Sequence, residues 1–386
     1  MTSPTPPLAA ARANSGLHIP SLDGIRALAA LIVFVSHAGL QDAIPGGFGV
    51  TIFFFLSGYL ITTLLRQEYE QRGAISLSSF YLRRICRIIP PLYIVLLLLL
   101  LPFTRAEAYF QPTLAAVAAQ FAQLTNYYVL LRGSAHLVPD TVATWSLAIE
   151  EHFYLLFPLL LVALLKLHSY RRIALVFASL CAAVLAWRCW LIYGLHVSYD
   201  YTYYATDARI DSLLYGCIMG IGCNPALDRQ RLQLSNGVCI AALALAAVLL
   251  ALTFLDRSES FRATFRYSVQ GLALLPIFFI AVRKSSWRIF SWLESRPMRF
   301  LGLISYSFYL VHVRALHLAA HYLHAPMLVQ GVAGFALTVA FASAMYYLVE
   351  RHLAVIRRRL HALLPAAAAA TPRAAADARR ATQPDS

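Results

Sequence analysis

An arginine and a histidine lie in one apolar segment near the beginning of this chain. Arg26 and His37 are the only ionisable residues of the stretch 25–37. In an α-helix, eleven residues make about three turns, so the two side chains share a face and lie ~16 Å apart along the axis. Ionisable groups inside a membrane helix are costly and usually mark function. A guanidinium can bind an anion and an imidazole can move a proton, so the pair predicts a functional site along this helix.

The composition indicates a membrane protein. Of 386 residues, 60% are hydrophobic and only 13% are charged, about half the charged share of a soluble domain. We predict an all-α, polytopic membrane helical bundle with about ten transmembrane helices and one re-entrant or interfacial segment. The predicted spans lie near residues 25–40, 48–65, 90–104, 145–165, 173–195, 209–223, 237–255, 266–282, 300–323 and 328–349.

The basic residues of the loops predict the orientation. Segment 113–131 is apolar but interrupted by amide side chains; if it does not cross, 24 of the 32 Lys and Arg residues lie on the side of the N-terminus. The positive-inside rule then puts both termini in the cytoplasm. Segment 113–131 is expected to be re-entrant or to lie at the outer interface. The predicted domains are a cytoplasmic tail (1–18), a transmembrane domain (19–352) and a second cytoplasmic tail (353–386), of low complexity from about residue 364.

The net charge of +14 and the six cysteines carry less information. The charge lies in short loops between apolar helices, which argues against a nucleic-acid partner. No two cysteines form a CxxC pair, so we predict no disulfide and no zinc site. His317, His321 and His324 share a helix face, but no cysteine or carboxylate cluster accompanies them, and we predict no metal site.

Ionisable residues of four predicted spans lie in one layer of the outer half. They are His37 on the first span, Glu150 and Glu151 on the fourth, Arg209 and Asp211 on the sixth, and His312 on the ninth. Each alone has a structural explanation, such as a bridge between helices, an interaction with a helix N-terminus or an ion pair. Together they predict a polar cavity that faces the interior of the bundle.

A cluster of arginines lies at the inner end of the third span. Arg83 and Arg87 are four residues apart, and Arg84 and Arg87 are three apart, so they can form one helix face. Membrane anchoring is one explanation for the cluster. A phosphate clamp is the other, because guanidinium groups suit multidentate phosphate binding. Arg26 would border the same inner mouth.

A tyrosine-rich segment, residues 199–207, precedes the sixth span. Such residues are typical of the aromatic belt at a membrane interface. The alternative is a platform for a sugar or another hydroxyl-bearing acceptor, with ring faces for stacking and carboxylates for hydrogen bonds.

Six segments combine these residues in a fixed order. They are Leu22–Ala27 with the Arg26 and His37 spacing, Phe53–Tyr59, Phe80–Pro90, Trp145–Tyr154, Asp207–Gly216 and Ser305–His312. The ordered set spans about residues 18–350 and resembles the acyltransferase 3 family, bacterial integral membrane O-acyltransferases related to O-antigen acetylases. One departure is His152, where the family usually has glutamine.

The resemblance implies transfer of an acyl group, most often acetyl, from cytoplasmic acyl-CoA to a hydroxyl on the outer side of the bacterial inner membrane. Acyl-CoA is then a co-substrate, and no tightly bound cofactor is expected. His37 is the predicted general base, and Glu150, or else Glu151, orients it, with only one glutamate facing the site. The predicted acyl-CoA residues are Arg26, Arg83, Arg84 and Arg87. The predicted acceptor or oxyanion residues are Asp23, Ser57, Tyr59, Trp145, Arg209, Asp211 and His312.

Several alternatives stay open at this point. The acceptor is a saccharide or glycoconjugate, or else a macrolide-type or other small secondary metabolite, and an acyl-histidine intermediate is an alternative to direct transfer. A transporter or flippase of a glycolipid would also need intramembrane charges, but it does not explain an arginine cluster combined with a histidine on the Arg26 helix. The sequence does not predict the oligomeric state.

Overall fold

The computed structural model describes residues 19–101, 112–230 and 233–356, and every regular element within these ranges is helical. In chain order the helices are α1 Pro20–Val35, α2 Gly46–Arg72, α3 Leu77–Leu100, α4 Leu114–Phe121, α5 Thr125–Arg132, α6 Thr144–Leu164, α7 Tyr170–Cys189, α8 Tyr199–Tyr204, α9 Thr206–Arg209, α10 Asp211–Gly222, α11 Asn236–Leu255, α12 Glu259–Ala263, α13 Arg266–Arg283, α14 Arg288–Ser291, α15 Arg296–Tyr322 and α16 Met327–Met345. Short π-helical turns continue α1 to Leu40, α7 to Gly194 and α16 to Glu350. The predicted all-α class is confirmed.

Several helices are long and apolar enough to cross a membrane. They are Pro20–Leu40, Gly46–Arg72, Thr144–Leu167, Tyr170–Gly194, Asn236–Leu255 and Met327–Ile356, with α13 and the segment Arg288–Glu294 as a further pair bent by 90°. The chain is therefore a multi-pass membrane protein. Each of the ten predicted spans overlaps a helix. The count of about ten also requires α3, α10 and α15 to cross, and it stays a prediction.

The segment predicted not to cross forms two short helices. α4 and α5 have eight residues each, and Gln123, with a left-handed φ of 59°, lies between them. Eight helical residues extend ~12 Å, which is far less than the ~30 Å hydrocarbon core of a bilayer. This geometry agrees with a segment that does not cross the membrane as one helix.

Local residue choices explain where helices begin and end. The hydroxyls of Ser76 and Ser235 accept backbone N–H groups from the first turns of α3 and α11, which is the usual role of an N-cap serine. α2 ends at Gly73, whose left-handed φ of 73° suits glycine and whose N–H donates to the Tyr69 carbonyl. Pro20 occupies the first turn of α1, where its fixed φ is already helical.

Close helix contacts fix the position of α1, which carries the arginine and histidine pair. α1 packs against α2 and α15, and α2 packs most extensively against α10. A Cβ atom at Gly302 of α15 would overlap the carbonyl oxygen of Asp23, and one at Gly58 of α2 would overlap that of Leu213. Small residues allow such approaches between membrane helices. These contacts hold the first turn of α1 against α15, and α2 against α10.

α11 presents a largely apolar outer face. Leu245, Val248 and Leu252 are each more than half exposed. An extended exposed apolar face is typical of a surface that contacts membrane lipid. The lipid-facing surface therefore includes α11, whereas α2 is mostly buried inside the bundle.

The predicted tails lie largely outside the described residues. This applies to all of 1–18 and to residues 357–386 of the C-terminal tail. The last helical segment continues through Ile356, four residues beyond the predicted boundary at residue 352.

Candidate active site

A polar cavity of ≈ 250 Å³ lies among α1, α2, α3, α6 and α15. We call it the arginine cavity, because it contains three arginines. Its charged lining residues are Arg26, Arg84, Arg87, Asp23, Glu150 and Glu151, and its hydroxyl groups come from Ser57, Ser146, Tyr154, Ser305, Tyr306 and Tyr309. Apolar residues of α2, including Phe53 and Phe54, complete the wall. Of the six ionisable residues predicted to form a polar cavity, only Glu150 and Glu151 line this one.

The three arginines come from two helices. Arg84 and Arg87 lie three residues apart on α3, and Arg26 faces them from α1. The guanidinium carbon of Arg84 lies 4.9 Å from the centroid of the Tyr154 ring, a cation–π geometry. Arg26 forms an ion pair with Asp23 at 3.5 Å. These side chains are therefore held in place while their guanidinium groups still line the cavity.

Arg83, the fourth residue of the predicted clamp, lies outside the cavity. Its Nη2 donates to Glu68 of α2 at 3.2 Å. Adjacent residues on a helix point ~100° apart, and Arg83 points toward α2 whereas Arg84 lines the cavity. The structure brings three of the four predicted clamp arginines together and gives Arg83 a structural partner instead.

Glu150 is held in the cavity wall by two hydroxyl groups. Ser57 Oγ donates to one carboxylate oxygen at 3.1 Å, and Tyr154 OH donates to the other at 2.9 Å. The Tyr154 hydroxyl also lies 3.0 Å from Ser57 Oγ. This arrangement places a carboxylate beside the Arg84 and Tyr154 stack.

The structure does not bring Glu150 into contact with His37. Within the described residues both carboxylate oxygens of Glu150 accept hydrogen bonds from other side chains. The side chain that His37 contacts is His312. Glu150 lies six residues into α6, ~9 Å from its beginning, whereas His37 lies in the last turn of the first helix. The expectation that one glutamate faces the site is also corrected, because Glu151 lines the cavity as well.

His37 lies in the π-helical turn Ser36–Leu40 that continues α1. Its Nδ1 is 2.9 Å from the carbonyl oxygen of Val33 and 3.4 Å from Nε2 of His312. A carbonyl oxygen can only accept, so the hydrogen bond assigns the proton to Nδ1. Nε2 of His37 is then the basic nitrogen. π-helical turns of this kind occur often at functional sites.

His312 is buried, and its orientation is fixed. Its Nδ1 donates to the Tyr309 carbonyl oxygen at 2.7 Å, which leaves Nε2 as the acceptor that faces His37. The two imidazole rings meet edge to face, with centroids 5.0 Å apart. His312, and not Glu150, is therefore the side chain that contacts Nδ1 of His37.

Tyr309 connects the arginine cavity to this histidine pair. Its ring lines the cavity and lies 5.4 Å from the His312 ring. Its hydroxyl contacts Ser146 Oγ at 2.8 Å and donates to the Ala143 carbonyl oxygen at 3.1 Å. His37 is exposed and does not line the cavity. Tyr309 and His312 thus form one layer of side chains between the cavity and His37.

Arg209 is fully buried behind the cavity wall. Its guanidinium carbon lies 3.7 Å from the centroid of the Tyr267 ring, 5.5 Å from that of Phe54 and 5.9 Å from that of Trp145. Nη2 donates to Thr51 at 3.4 Å, whereas Nε and Nη1 have no partner among the described residues. Arg209 and Trp145 therefore support the wall that Phe54 forms, rather than lining the cavity.

Two predicted acceptor residues have structural partners instead. Asp211 is fully buried and accepts from Arg188 at 2.7 Å and from Ser268 at 3.0 Å. The Tyr59 hydroxyl is also buried and donates to Asn224 at 3.2 Å. Neither residue lines the arginine cavity. Since both polar groups are engaged inside the bundle, we assign neither of them to an acceptor.

A family profile described as an acyltransferase domain matches residues 19–347. The chain belongs to the acyltransferase 3 family. The six segments that carried the resemblance all lie within the matched range. No solved structure matches the chain significantly.

Relatives of this acyltransferase 3 member carry O-acetyltransferase names. A protein of Staphylococcus aureus (strain COL), provisionally named an O-acetyltransferase, is 30% identical over 351 residues, which cover 86% of this chain and 57% of the relative. O-acetyltransferase OatA of Staphylococcus aureus (strain NCTC 8325 / PS 47) is 33% identical over 308 residues, 76% of this chain and 50% of the relative. Peptidoglycan O-acetyltransferase OatA of Listeria monocytogenes (strain ATCC BAA-679 / EGD-e) is 28% identical over 314 residues, which cover 76% of this chain and 49% of the relative. The chain spans about half the length of the relatives it matches.

Sequence reasoning on this acyltransferase 3 member missed two tyrosines and an arginine. Tyr154 lies four residues after Glu150, and Tyr309 lies three residues before His312, so helical spacing places each on the face of its neighbour. Arg188 stands inside the predicted fifth span. An ionisable residue in such a position is itself a reason to search for a buried partner.

Proposed function

We propose that this acyltransferase 3 member is a membrane O-acyltransferase that moves an acetyl group from acetyl-CoA to a hydroxyl of a cell-envelope saccharide. The observation that carries the proposal is one cavity that extends from Arg26, Arg84 and Arg87 to Tyr309, next to the His312 and His37 pair. The names of the relatives support acetyl as the acyl group and an envelope glycan as the acceptor.

The arginines suit the anionic end of the donor. CoA carries several phosphate charges, and guanidinium groups bind phosphate through paired hydrogen bonds. Asp23, Glu150 and Glu151 line the same cavity and offset the positive charge of the arginines. The ~16 Å axial offset between Arg26 and His37 is a distance that the pantetheine arm can bridge, so the thioester can approach the histidines while the nucleotide remains among the arginines.

The chemistry requires His37 to take up one proton and then to release it. Nε2 takes the proton of the acceptor hydroxyl as its oxygen attacks the thioester carbonyl carbon. A carbon–oxygen bond forms, the carbon–sulfur bond breaks, and the CoA thiolate leaves and takes the proton back from Nε2. During this cycle Nδ1–H remains bonded to Val33 and His312, which stabilises the transient imidazolium.

The orientation follows from the distribution of basic residues. We infer ten spans, with both termini and the Arg26 end in the cytoplasm and the His37 end at the outer face of the bacterial inner membrane. In this topology 24 of 32 Lys and Arg residues are cytoplasmic. The donor then enters from the cytoplasm, and the acceptor approaches His37 from outside.

A transfer assay with the full purified chain tests the proposal. The chain in detergent is incubated with acetyl-CoA labelled in the acetyl group and with peptidoglycan oligosaccharides. We expect base-labile label on the glycan and a higher melting temperature in the presence of acetyl-CoA. If acetyl-CoA neither raises the melting temperature nor transfers its label, the chain is not an acyl-CoA-dependent enzyme, and the transporter alternative gains support.

A further inference from the structure

A second cavity, of ≈ 300 Å³, combines arginines with tyrosine rings. We call it the tyrosine–arginine pocket, and its defining residues are Arg257, Arg262, Arg266, Tyr199, Tyr203 and Tyr267. Its volume is at the lower end of the range for small-molecule pockets. None of its residues lines the arginine cavity, so the pocket is separate from the proposed donor site.

The pocket lies at the His37 end of the bundle. Its wall includes Gln41–Ala43 and Pro45–Phe48, the connection that follows the π-helical turn of His37. Arg209 lies in the partition between the two cavities: its guanidinium is 3.7 Å from the Tyr267 ring on one side and 5.5 Å from the Phe54 ring on the other. A ligand in the pocket is therefore close to the segment that holds the proposed base.

The three arginines of the pocket make no salt bridge within the described part of the chain. Arg266 Nη2 donates to the hydroxyls of Tyr199 and Tyr267, at 2.5 and 3.1 Å. Arg262 lies over the Tyr199 ring, 5.1 Å from its centroid, and Arg257 donates to a backbone carbonyl. Neutral partners fix these guanidinium groups without neutralising them, which leaves their charge for an anion.

Two carboxylates also line the pocket and reduce its positive charge. Asp256 accepts from the N–H and the hydroxyl of Ser258, at 2.9 and 2.6 Å, so its lone pairs are partly occupied. Asp42 provides its backbone carbonyl to Arg257 at 3.1 Å. Three guanidinium groups against two carboxylates leave a net positive charge, and the buried Arg209 behind Tyr267 adds to it.

We propose that the tyrosine–arginine pocket binds an anionic group, a phosphate or a carboxylate, carried by the saccharide acceptor. The inference rests on the proposed function and specifies the substrate class. The guanidinium groups bind the anion, and the amphipathic tyrosines contact the sugar with ring faces and hydroxyls. Binding there holds the acceptor next to the His37 segment.

Direct binding tests this proposal without acetyl-CoA. The full chain in detergent is titrated by calorimetry with glucose 1-phosphate, glucuronic acid, glucose and inorganic phosphate. We expect at least one anionic sugar to bind tenfold or more tightly than glucose, with an affinity that falls as salt is raised. Tighter binding of glucose 1-phosphate identifies the anion as a phosphate, and tighter binding of glucuronic acid identifies it as a carboxylate. Equal binding of glucose and both anionic sugars would overturn the proposal, and inorganic phosphate binding as tightly as the sugar phosphate would overturn its saccharide part.

Variants that remove positive or negative charge from the pocket make the test specific. Arg257→Gln/Arg262→Gln should lower the affinity for the anionic sugar at least tenfold, and both residues can change without removing the Arg266 hydrogen bonds. Asp42→Asn should raise that affinity, because it removes a negative charge from the pocket. Arg132→Gln removes an exposed arginine of α5 and should change nothing. Wild-type affinity in the double variant would contradict the proposal.

The same variants separate this inference from the proposed function. If the double variant keeps the wild-type KM for the glycan in acetyl transfer, the pocket does not bind the acceptor, although the acyltransferase assignment stands. If wild-type protein binds anionic sugars but never transfers acetyl, the proposed function fails and the pocket remains.

Discussion

Nε2 of His312 lies 3.4 Å from Nδ1 of His37. The contact joins α15 to the π-helical turn that ends the first helix, and it gives the proposed base a neutral hydrogen-bond acceptor. Since His312 Nδ1 donates to the Tyr309 carbonyl, its Nε2 has no proton to donate to His37. The contact therefore fixes one tautomer of His37, with Nε2 as its basic nitrogen.

Arg84→Gln is expected to raise the KM for acetyl-CoA about 10- to 100-fold, because a hydrogen bond to a charged group contributes about 1.5–3 kcal/mol. The kcat should change little, since Arg84 is proposed to bind the phosphates of CoA and not the acetyl group. The matched control is Arg83→Gln, whose arginine bonds Glu68 outside the cavity. Steady-state kinetics in detergent measure both. An equal rise in KM for the two variants would contradict the cavity as the donor site.

Glu150→Gln and His312→Ala distinguish the two candidate partners of His37 by their pH profiles. The acid limb of kcat/KM reports the base of the free enzyme. His312→Ala should lower kcat ~10- to 100-fold and move the acid limb toward lower pH, because the imidazolium loses an acceptor. His312→Gln, which restores an acceptor, should recover part of the loss.

Glu150→Gln should leave the acid limb unchanged and lower the KM for acetyl-CoA several-fold, since it removes a negative charge beside Arg84. An acid limb that moves in Glu150→Gln as it does in His312→Ala would instead support the partner predicted from the sequence.

Asp211→Asn is expected to destabilise the protein rather than to alter its chemistry. The carboxylate is fully buried with Arg188, and removing one partner of a buried ion pair costs about 3–5 kcal/mol. Size-exclusion chromatography should show a lower yield of folded protein, and thermal unfolding should show a lower melting temperature. The folded fraction should keep its kcat. A stable Asp211→Asn protein with reduced kcat would instead support the predicted role of Asp211 in the active site.

Asp140 is expected to make stability depend on pH. This residue precedes α6 and bonds to Arg314 at 3.0 Å and to His317 at 2.5 Å. Burial acts to raise the pKa of Asp140, but the hydrogen bonds and charges of His317 and Arg314 outweigh it and lower the pKa. The folded pKa is then below the unfolded value of ~3.9, so the stabilisation is complete above that value and is lost as the pH falls through the folded pKa.

The measurement is the melting temperature between pH 6 and pH 3. Between pH 6 and pH 3 the melting temperature of wild-type protein should fall by ~1–3 °C more than that of Asp140→Asn. Asp200→Asn, at an exposed carboxylate of α8, should behave as wild type. If the melting temperatures of wild type and Asp140→Asn change equally with pH, the ion pairs of Asp140 do not contribute to stability.

The sequence predicted the helical bundle well because apolar length and loop charge depend on local composition. Every predicted span overlaps a helix. Arg84 and Arg87, three residues apart on α3, line one cavity with Arg26, whereas Arg83 of the same predicted cluster does not. Spacing within one helix is fixed by the 3.6-residue repeat, which placed Arg84 and Arg87 on one face of α3 but did not decide whether Arg83 belongs to it.

The relations between helices were harder to predict. Glu150 and His37 lie on different helices, and the axial shift between these helices depends on packing that no repeat encodes. The π-helical turn at His37 also changes the direction of its side chain relative to a straight helix. An ion pair was one structural explanation for Asp211, and its partner is Arg188 of α7, 23 residues away in the sequence.

The central claim is that Nε2 of His37 removes the acceptor proton, and His37→Ala tests it most directly. Single-turnover acetyl transfer and acetyl-CoA binding are measured on the same preparation of full-length variant and wild-type protein. The account predicts a rate lower by ~10²–10⁴-fold, the usual contribution of a general base, with a Kd for acetyl-CoA within about threefold of wild type, because the arginine cavity does not include His37. A wild-type transfer rate in His37→Ala would contradict the account.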